Sequence, residues 1–193
     1  MIKVHNEIFK DKKTNVIEFG VDRGGTLTTI SKFVKDSSEI YALDSFGFFA
    51  DDIKSNVTKY DPHYLGTYRP FTKKTRFRNF NYLALEKQLN EILIKKESNL
   101  NIIKCYFPEK IEDEIFKKIS SIKYSFVHVD FDLYKPTFDV IKFVIPRHEK
   151  NAIILLDDYN LINQEGVKWA VCDSGVNIRK CIQTQSGQLI CYS

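Results

Sequence analysis

The 193-residue chain is short of several things that would narrow its class at once. No apolar run approaches the roughly 20 residues that a membrane-spanning helix needs, so no span is expected. The opening stretch, MIKVHNEIFKDKK, is too polar for a secretory leader, and the expected location is cytoplasmic. There are four cysteines (Cys105, Cys172, Cys181, Cys191) and no C-x-x-C pair. A zinc site is therefore not expected, nor a disulfide, and the thiols read as buried and free. The G-x-G-x-x-G turn of dinucleotide-binding proteins is missing, as are internal repeats and low-complexity segments. The formal charge of +4 is mild, permitting an anionic partner without requiring one.

What the chain does contain is enough for a core: 43% hydrophobic residues over a length suited to one domain, taken as 1–193 with a short lead-in at 1–14. The stretch that organises it runs from Lys123 to Asn160. An apolar run, Phe126–Val129, ends on Asp130 and Asp132. An amphipathic segment follows, with Pro136 in its first turn and Phe138, Ile141, Val144 and Ile145 at helical spacing. A second apolar run, Ala152–Leu156, ends on Asp157 and Asp158. Strand, helix and strand in that order make a right-handed crossover. The unbroken apolar runs suit parallel strands buried on both faces. Singly, strand-end aspartates are turn formers and helix caps. Two adjacent strands that both end on paired carboxylates gather them at one rim, where open α/β sheets bind ligands. Such crowding asks for a cation or a cationic ligand.

Upstream, Asn15–Gly20 reads as a strand running into VDRGGT and a helix over about Thr26–Lys35. Glycines in such a turn let the backbone approach a ligand, and the helix start offers free N–H groups. The acidic Glu18, two residues before Gly20, suits a ligand with an ammonium group. Glu39–Asp44 reads as the next strand, its final Asp44 placed to accept ribose hydroxyls. Residues 48–78 lack periodicity and are expected to form a lid or acceptor-binding insertion. Their basic-aromatic end, 69–78, is a candidate contact for nucleic acid or phosphate. Asn79–Lys96 has helical periodicity and Leu100–Cys105 reads as a third strand. A helix to about Ser120 and another over Gln164–Cys172 follow, and Val176–Gln183 with Gln188–Tyr192 predicts a terminal antiparallel hairpin. The predicted fold is α/β, a doubly wound and mostly parallel sheet closed by an antiparallel hairpin.

These pieces resemble the class I S-adenosylmethionine-dependent methyltransferases, and specifically the macrocin O-methyltransferase family. VIEFGVDRGGT resembles its glycine motif, YALDSFGFF its D-S-F segment, CYFPEKI the stretch after its third strand, FVHVDFDLYKPT its H-x-D-x-D-L-Y motif, and IILLDDY its D-D-Y motif. GVKWAV is similar to the helix that follows. The resemblance covers roughly residues 15–192. It implies a seven-stranded Rossmann-like sheet, S-adenosylmethionine, and a divalent cation, usually magnesium. It also implies methylation of a hydroxyl on a sugar or a glycosylated small molecule or polysaccharide precursor. Carried over, the metal ligands are Asp130, Asp157 and Asp158. The cofactor residues are Glu18, Gly20, Gly24, Asp44, Ser45, Tyr106 and Phe107, and the base is Asp130, with His128 second.

Two features depart from the family. Only about 14 residues precede the first strand, and RHEKNAIILL replaces a P-G-G turn. The short front leaves the acceptor pocket open to a larger substrate or to a second copy in a homo-oligomer. Other readings are a catechol-like diol acceptor, a nucleic-acid-binding protein or RNA methyltransferase using 69–78, a NAD-dependent enzyme, and a silent member acting in a complex. Rim carboxylates repel phosphates unless a metal intervenes, which argues against nucleic acid.

Overall fold

The computed structural model describes residues 1–46, 56–62 and 81–192. In order these contain α1 (Ile2–Ile8), β1 (Asn15–Phe19), α2 (Gly25–Phe33), β2 (Glu39–Asp44), α3 (Tyr82–Ile94), β3 (Asn99–Lys104) and α4 (Asp113–Ser120). Then come β4 (Tyr124–Val129), α5 (Tyr134–Val144), β5 (His148–Leu156), α6 (Glu165–Ser174), β6 (Cys181–Gln183) and β7 (Leu189–Tyr192). The seven strands form one sheet in the order β3-β2-β1-β4-β5-β7-β6. The first five are parallel, and β7 alone is reversed, pairing antiparallel with both β5 and β6. The doubly wound sheet with its antiparallel end is as the sequence predicts.

Parallel strands covered on both faces must be apolar on both, and β4 is buried at all six positions. One face carries Ile17, Phe19, Leu43, Val127 and Val129 against α4, α5 and α6. The other carries Val16, Ile40, Ala42, Phe126 and Leu155 against α2 and α3. There α1 adds His5, whose Nε2 lies 2.8 Å from Ser125 Oγ and whose ring meets Phe126 edge-on. Asn81 starts α3 by accepting from the amides of Leu83 and Ala84, a reciprocal of the unpaired donors every helix start presents.

The order reverses between β1 and β4, and this is the switch point of the fold. Ladder bonding continues one residue past the strand ends: the Gly20 amide donates to Leu43 O, Asp130 to Phe19 O, and Asp157 to Val129 O. The rim residues are thus fixed by backbone. Gly20 has φ +84°, and a Cβ there would collide with the Asp130 carbonyl. Glycine is required at this position both for its dihedral and for the close approach of two chains.

The structure corrects several expectations. Strand β1 stops at Phe19, because Gly20 leaves the extended region. β4 begins at Tyr124 and β5 at His148, earlier than hydrophobicity alone indicates. The first half of the predicted Val176–Gln183 strand is a short 3-10 turn, Ile178–Lys180, with Asn177 accepting from Arg179 N. The thiols are not all buried and free. Cys181 and Cys191 lie opposite each other in the β6–β7 register and are joined in a disulfide, and Cys172 is exposed, leaving Cys105 as the buried free thiol.

Gly20→Ala is expected to destabilise the protein by about 2–4 kcal/mol, lowering Tm by roughly 5–15 °C. Gly25→Ala, where nothing lies within 4 Å of an added Cβ, is the control and should leave the melt unchanged. Equal melting of the two variants would remove the close approach as the reason for Gly20.

Candidate functional site

Alternation along a strand puts residues of equal parity on one face, and the register makes neighbours of those at equal height. Glu18 of β1 lies beside His128 of β4, and His128 beside Leu155 of β5. One pleat further toward the carboxyl edge are Asp130 and Asp157. The sheet thereby stacks an acid, a histidine and two more acids into one corner of the rim.

Two overlapping groups form there. A ring nitrogen of His128 and one carboxylate oxygen from each of Asp130 and Asp157 lie within 4.8 Å of one another, and so do oxygens of Asp130, Asp132 and Asp158. Asp130 belongs to both. The expected set Asp130, Asp157 and Asp158 is divided between the two groups, with Asp157 in the His128 group and Asp158 in the Asp132 group. Asp132 and Asp158 both adopt left-handed backbone, φ 60° and 58°, which turns the chain sharply at each strand end. Gln164, just before α6, donates from Nε2 to Asp132 Oδ1 at 2.6 Å. The donor set of clustered carboxylate oxygens suits a hard divalent cation, and either group, both of which include Asp130, could hold one.

Proton affinities follow from this crowding. Burial first, then the Asp132 charge, push the Asp130 carboxyl up to about 7. Burial and the hydrogen-bonded contact with Asp132 push Asp158 up to about 9. Burial also raises Glu18, by more than its bond to His128 lowers it. Burial works to lower His128, but the Glu18 bond and charge, with Asp130 and Asp157 behind, prevail and raise it.

The glycine turn is built around Asp44. Its Oδ2 accepts from the amides of Val21 and Asp22 at 2.7 and 2.8 Å, and its Oδ1 from Phe46 at 2.6 Å. The carboxylate shapes the turn, holding it at the edge between β1 and β2. Gly24, with φ +81°, starts α2 and backs onto the Leu85 side chain of α3. Ser45 is half-buried beside Asp44. Of the pair after β3, Tyr106 is half-buried at the surface while Phe107 is 5% exposed and turned into the core against Phe19 and Phe143.

The insertion at 48–78 falls outside the described residues except for 56–62, and the basic run 69–78 lies wholly outside them. Within 56–62, Asp61 is buried and accepts from the Tyr134 amide through Oδ1 and from Thr58 through Oδ2. Gly166 leaves the room that Asp61 fills, and Tyr60 packs on Tyr134 and Trp169. This segment is thereby fastened to the starts of α5 and α6, beside the carboxylate corner. Sequence reading placed Asp132 among the rim carboxylates but not among the metal ligands, and it did not single out Asp61 or Gln164. For Asp132 the D-x-D spacing was the available signal; Asp61 and Gln164 had none.

No family model matches the sequence, and no curated protein matches it. Among solved structures, the chain is similar to CalS11, a calicheamicin methyltransferase, at 17% identity and TM-score 0.63, over 99% of this chain and 76% of that one. The apo form of CalS11, described as a TDP-rhamnose 3'-O-methyltransferase, aligns at 16% identity and TM-score 0.58, again over 99% and 76%. The O-methyltransferase NovP aligns at 15% identity and TM-score 0.60, over 98% of this chain and 75% of that one. The chain has the fold of these methyltransferases.

The four raised groups share one sign. Glu18, His128, Asp130 and Asp158 each hold a proton more tightly folded than unfolded. The stability they give is complete below their unfolded values and is lost as pH rises through about 7 for Asp130 and about 9 for Asp158. In chelator, the thermal midpoint should fall from roughly pH 6 to pH 9, and Asp158→Asn should flatten the upper part of that fall. A midpoint that climbs across this window in the wild type would contradict the crowding.

Proposed function

We propose that the chain is an S-adenosylmethionine-dependent O-methyltransferase of the macrocin type, which uses a divalent cation and acts on a hydroxyl of a sugar or glycosylated small molecule. The observation that carries this reading is the meeting of Gly20 and Asp130 at the switch point. The glycine turn and the carboxylate corner, two halves of one expected site, are there in backbone contact. The shared fold of CalS11 and NovP supports it.

When bound, S-adenosylmethionine supplies an electrophilic methyl group and the cation lowers the pKa of the acceptor hydroxyl. The chain's own residues do the rest. The turn at Gly20–Gly24 offers its backbone to the cofactor, with the start of α2 facing it. Asp44, at the end of β2, keeps that turn in shape and is the residue assigned to the ribose. Tyr106, half-buried after β3, is the residue assigned to the adenine. Asp130, Asp157 and Asp158 would hold the cation, which would supply a Lewis acid beside the acceptor hydroxyl. Asp130 takes the hydroxyl proton, and His128 lies behind it, buried. Most of the rate then comes from holding two reactants in line.

Calorimetric titration tests this directly. The wild type should bind S-adenosylmethionine with a micromolar Kd. Asp157→Ala should keep that affinity within about threefold, lose magnesium or manganese binding, and cut turnover on a sugar acceptor by about 100-fold or more. A folded wild type that binds no S-adenosylmethionine would sink the assignment.

A further inference from the structure

Glu18 occupies the position expected to face a cofactor's ammonium group, yet its side chain is only 1% exposed. Its Oε1 lies 3.0 Å from His128 Nδ1, and its Oε2 is buried without a partner. His128 is equally enclosed, at 2%. With Nδ1 taken by Glu18, the imidazole has one nitrogen left. A ring nitrogen of this histidine lies within 4.8 Å of oxygens of both Asp130 and Asp157. Strand alternation points all four side chains to the same face, with Glu18 and His128 side by side at one height and the two rim aspartates one pleat further toward the carboxyl edge.

We propose that Glu18 and His128 are a positioning pair for Asp130 and Asp157, and that Glu18 does not contact the cofactor. This rests on the proposed cation-holding role of those aspartates. A carboxylate behind a histidine fixes the ring's orientation and its tautomer, leaving the other nitrogen in a defined state. The defined nitrogen in turn gives two mutually repelling carboxylates a fixed polar neighbour, so both point to one place. The same pairing withdraws Glu18 from the edge. Its burial inside the sheet leaves the ammonium of any cofactor to other groups of the rim.

The test separates cation affinity from cofactor affinity. Manganese binding is followed by electron paramagnetic resonance and S-adenosylmethionine binding by calorimetry, on wild type, Glu18→Leu, Glu18→Gln and His128→Asn. Glu18→Leu and His128→Asn should each weaken manganese about 10- to 100-fold while cofactor affinity stays within about threefold. Glu18→Gln, which keeps an oxygen to accept from the ring, should recover most of the manganese affinity. If Glu18→Leu does not fold, Glu18→Gln and His128→Asn carry the measurement. Manganese affinity equal to wild type in every folded variant overturns the proposal, as does a tenfold loss of cofactor affinity in a Glu18 variant with manganese unchanged. A wild type that takes no manganese overturns the cation reading beneath it and is distinguished by that fact.

Discussion

Carboxylates crowded at the carboxyl edge of one parallel sheet repel one another, and the surrounding structure is arranged around that repulsion. Two ionised groups 4.8 Å apart, the widest separation within these clusters, oppose each other by about 3.5 kcal/mol at an effective dielectric near 20, and closer pairs by more. Four aspartates in two overlapping groups cannot all stay charged without relief. Protons provide part of it, as the raised Asp130 and Asp158 carboxyls indicate. His128 provides another part from within the sheet. A divalent cation would provide the most, by replacing the held protons with two positive charges.

The backbone makes such an arrangement sustainable. Gly20, Asp130 and Asp157 continue the ladders of their neighbouring strands, so the first aspartate after β4 and after β5 is fixed by main-chain bonds before side chains interact. The left-handed turns at Asp132 and Asp158 then bring successive acidic residues back to the same corner. Gly20 lets β1 and β4 approach at that corner more closely than any side chain would permit. Asp44 holds the adjoining glycine turn through two amides, Val21 and Asp22, and its own following turn through a third, Phe46. The fold positions a glycine turn and a charged cluster side by side on strand ends, which is where an α/β sheet can bind a ligand and act on it.

Much of this is legible in the residues themselves. Phe126–Val129 and Ala152–Leu156 announce buried strands because burial on both faces demands unbroken apolar runs. Their terminal aspartates stand out because each unbroken apolar run ends on two closely spaced carboxylates. Strand ends misplaced by two to four residues, as at Tyr124 and His148, reflect positions where polar side chains still pair at the sheet's amino edge. The Cys181–Cys191 disulfide was missed although its hairpin was predicted, because it depends on the exact register of β6 against β7 across the turn. The Glu18–His128 bond is of the same kind: 110 residues apart, the two meet only because β1 and β4 are adjacent. Local pattern fixes elements; contacts between distant strands follow from topology.

The central claim, that the carboxylate corner is a cation site, is tested most directly by anomalous diffraction from crystals soaked in manganese. The account predicts a single strong peak within ligand distance of Asp130, Asp157 and Asp158, absent in Asp157→Ala. Ordered carboxylates with no peak at millimolar manganese would contradict it.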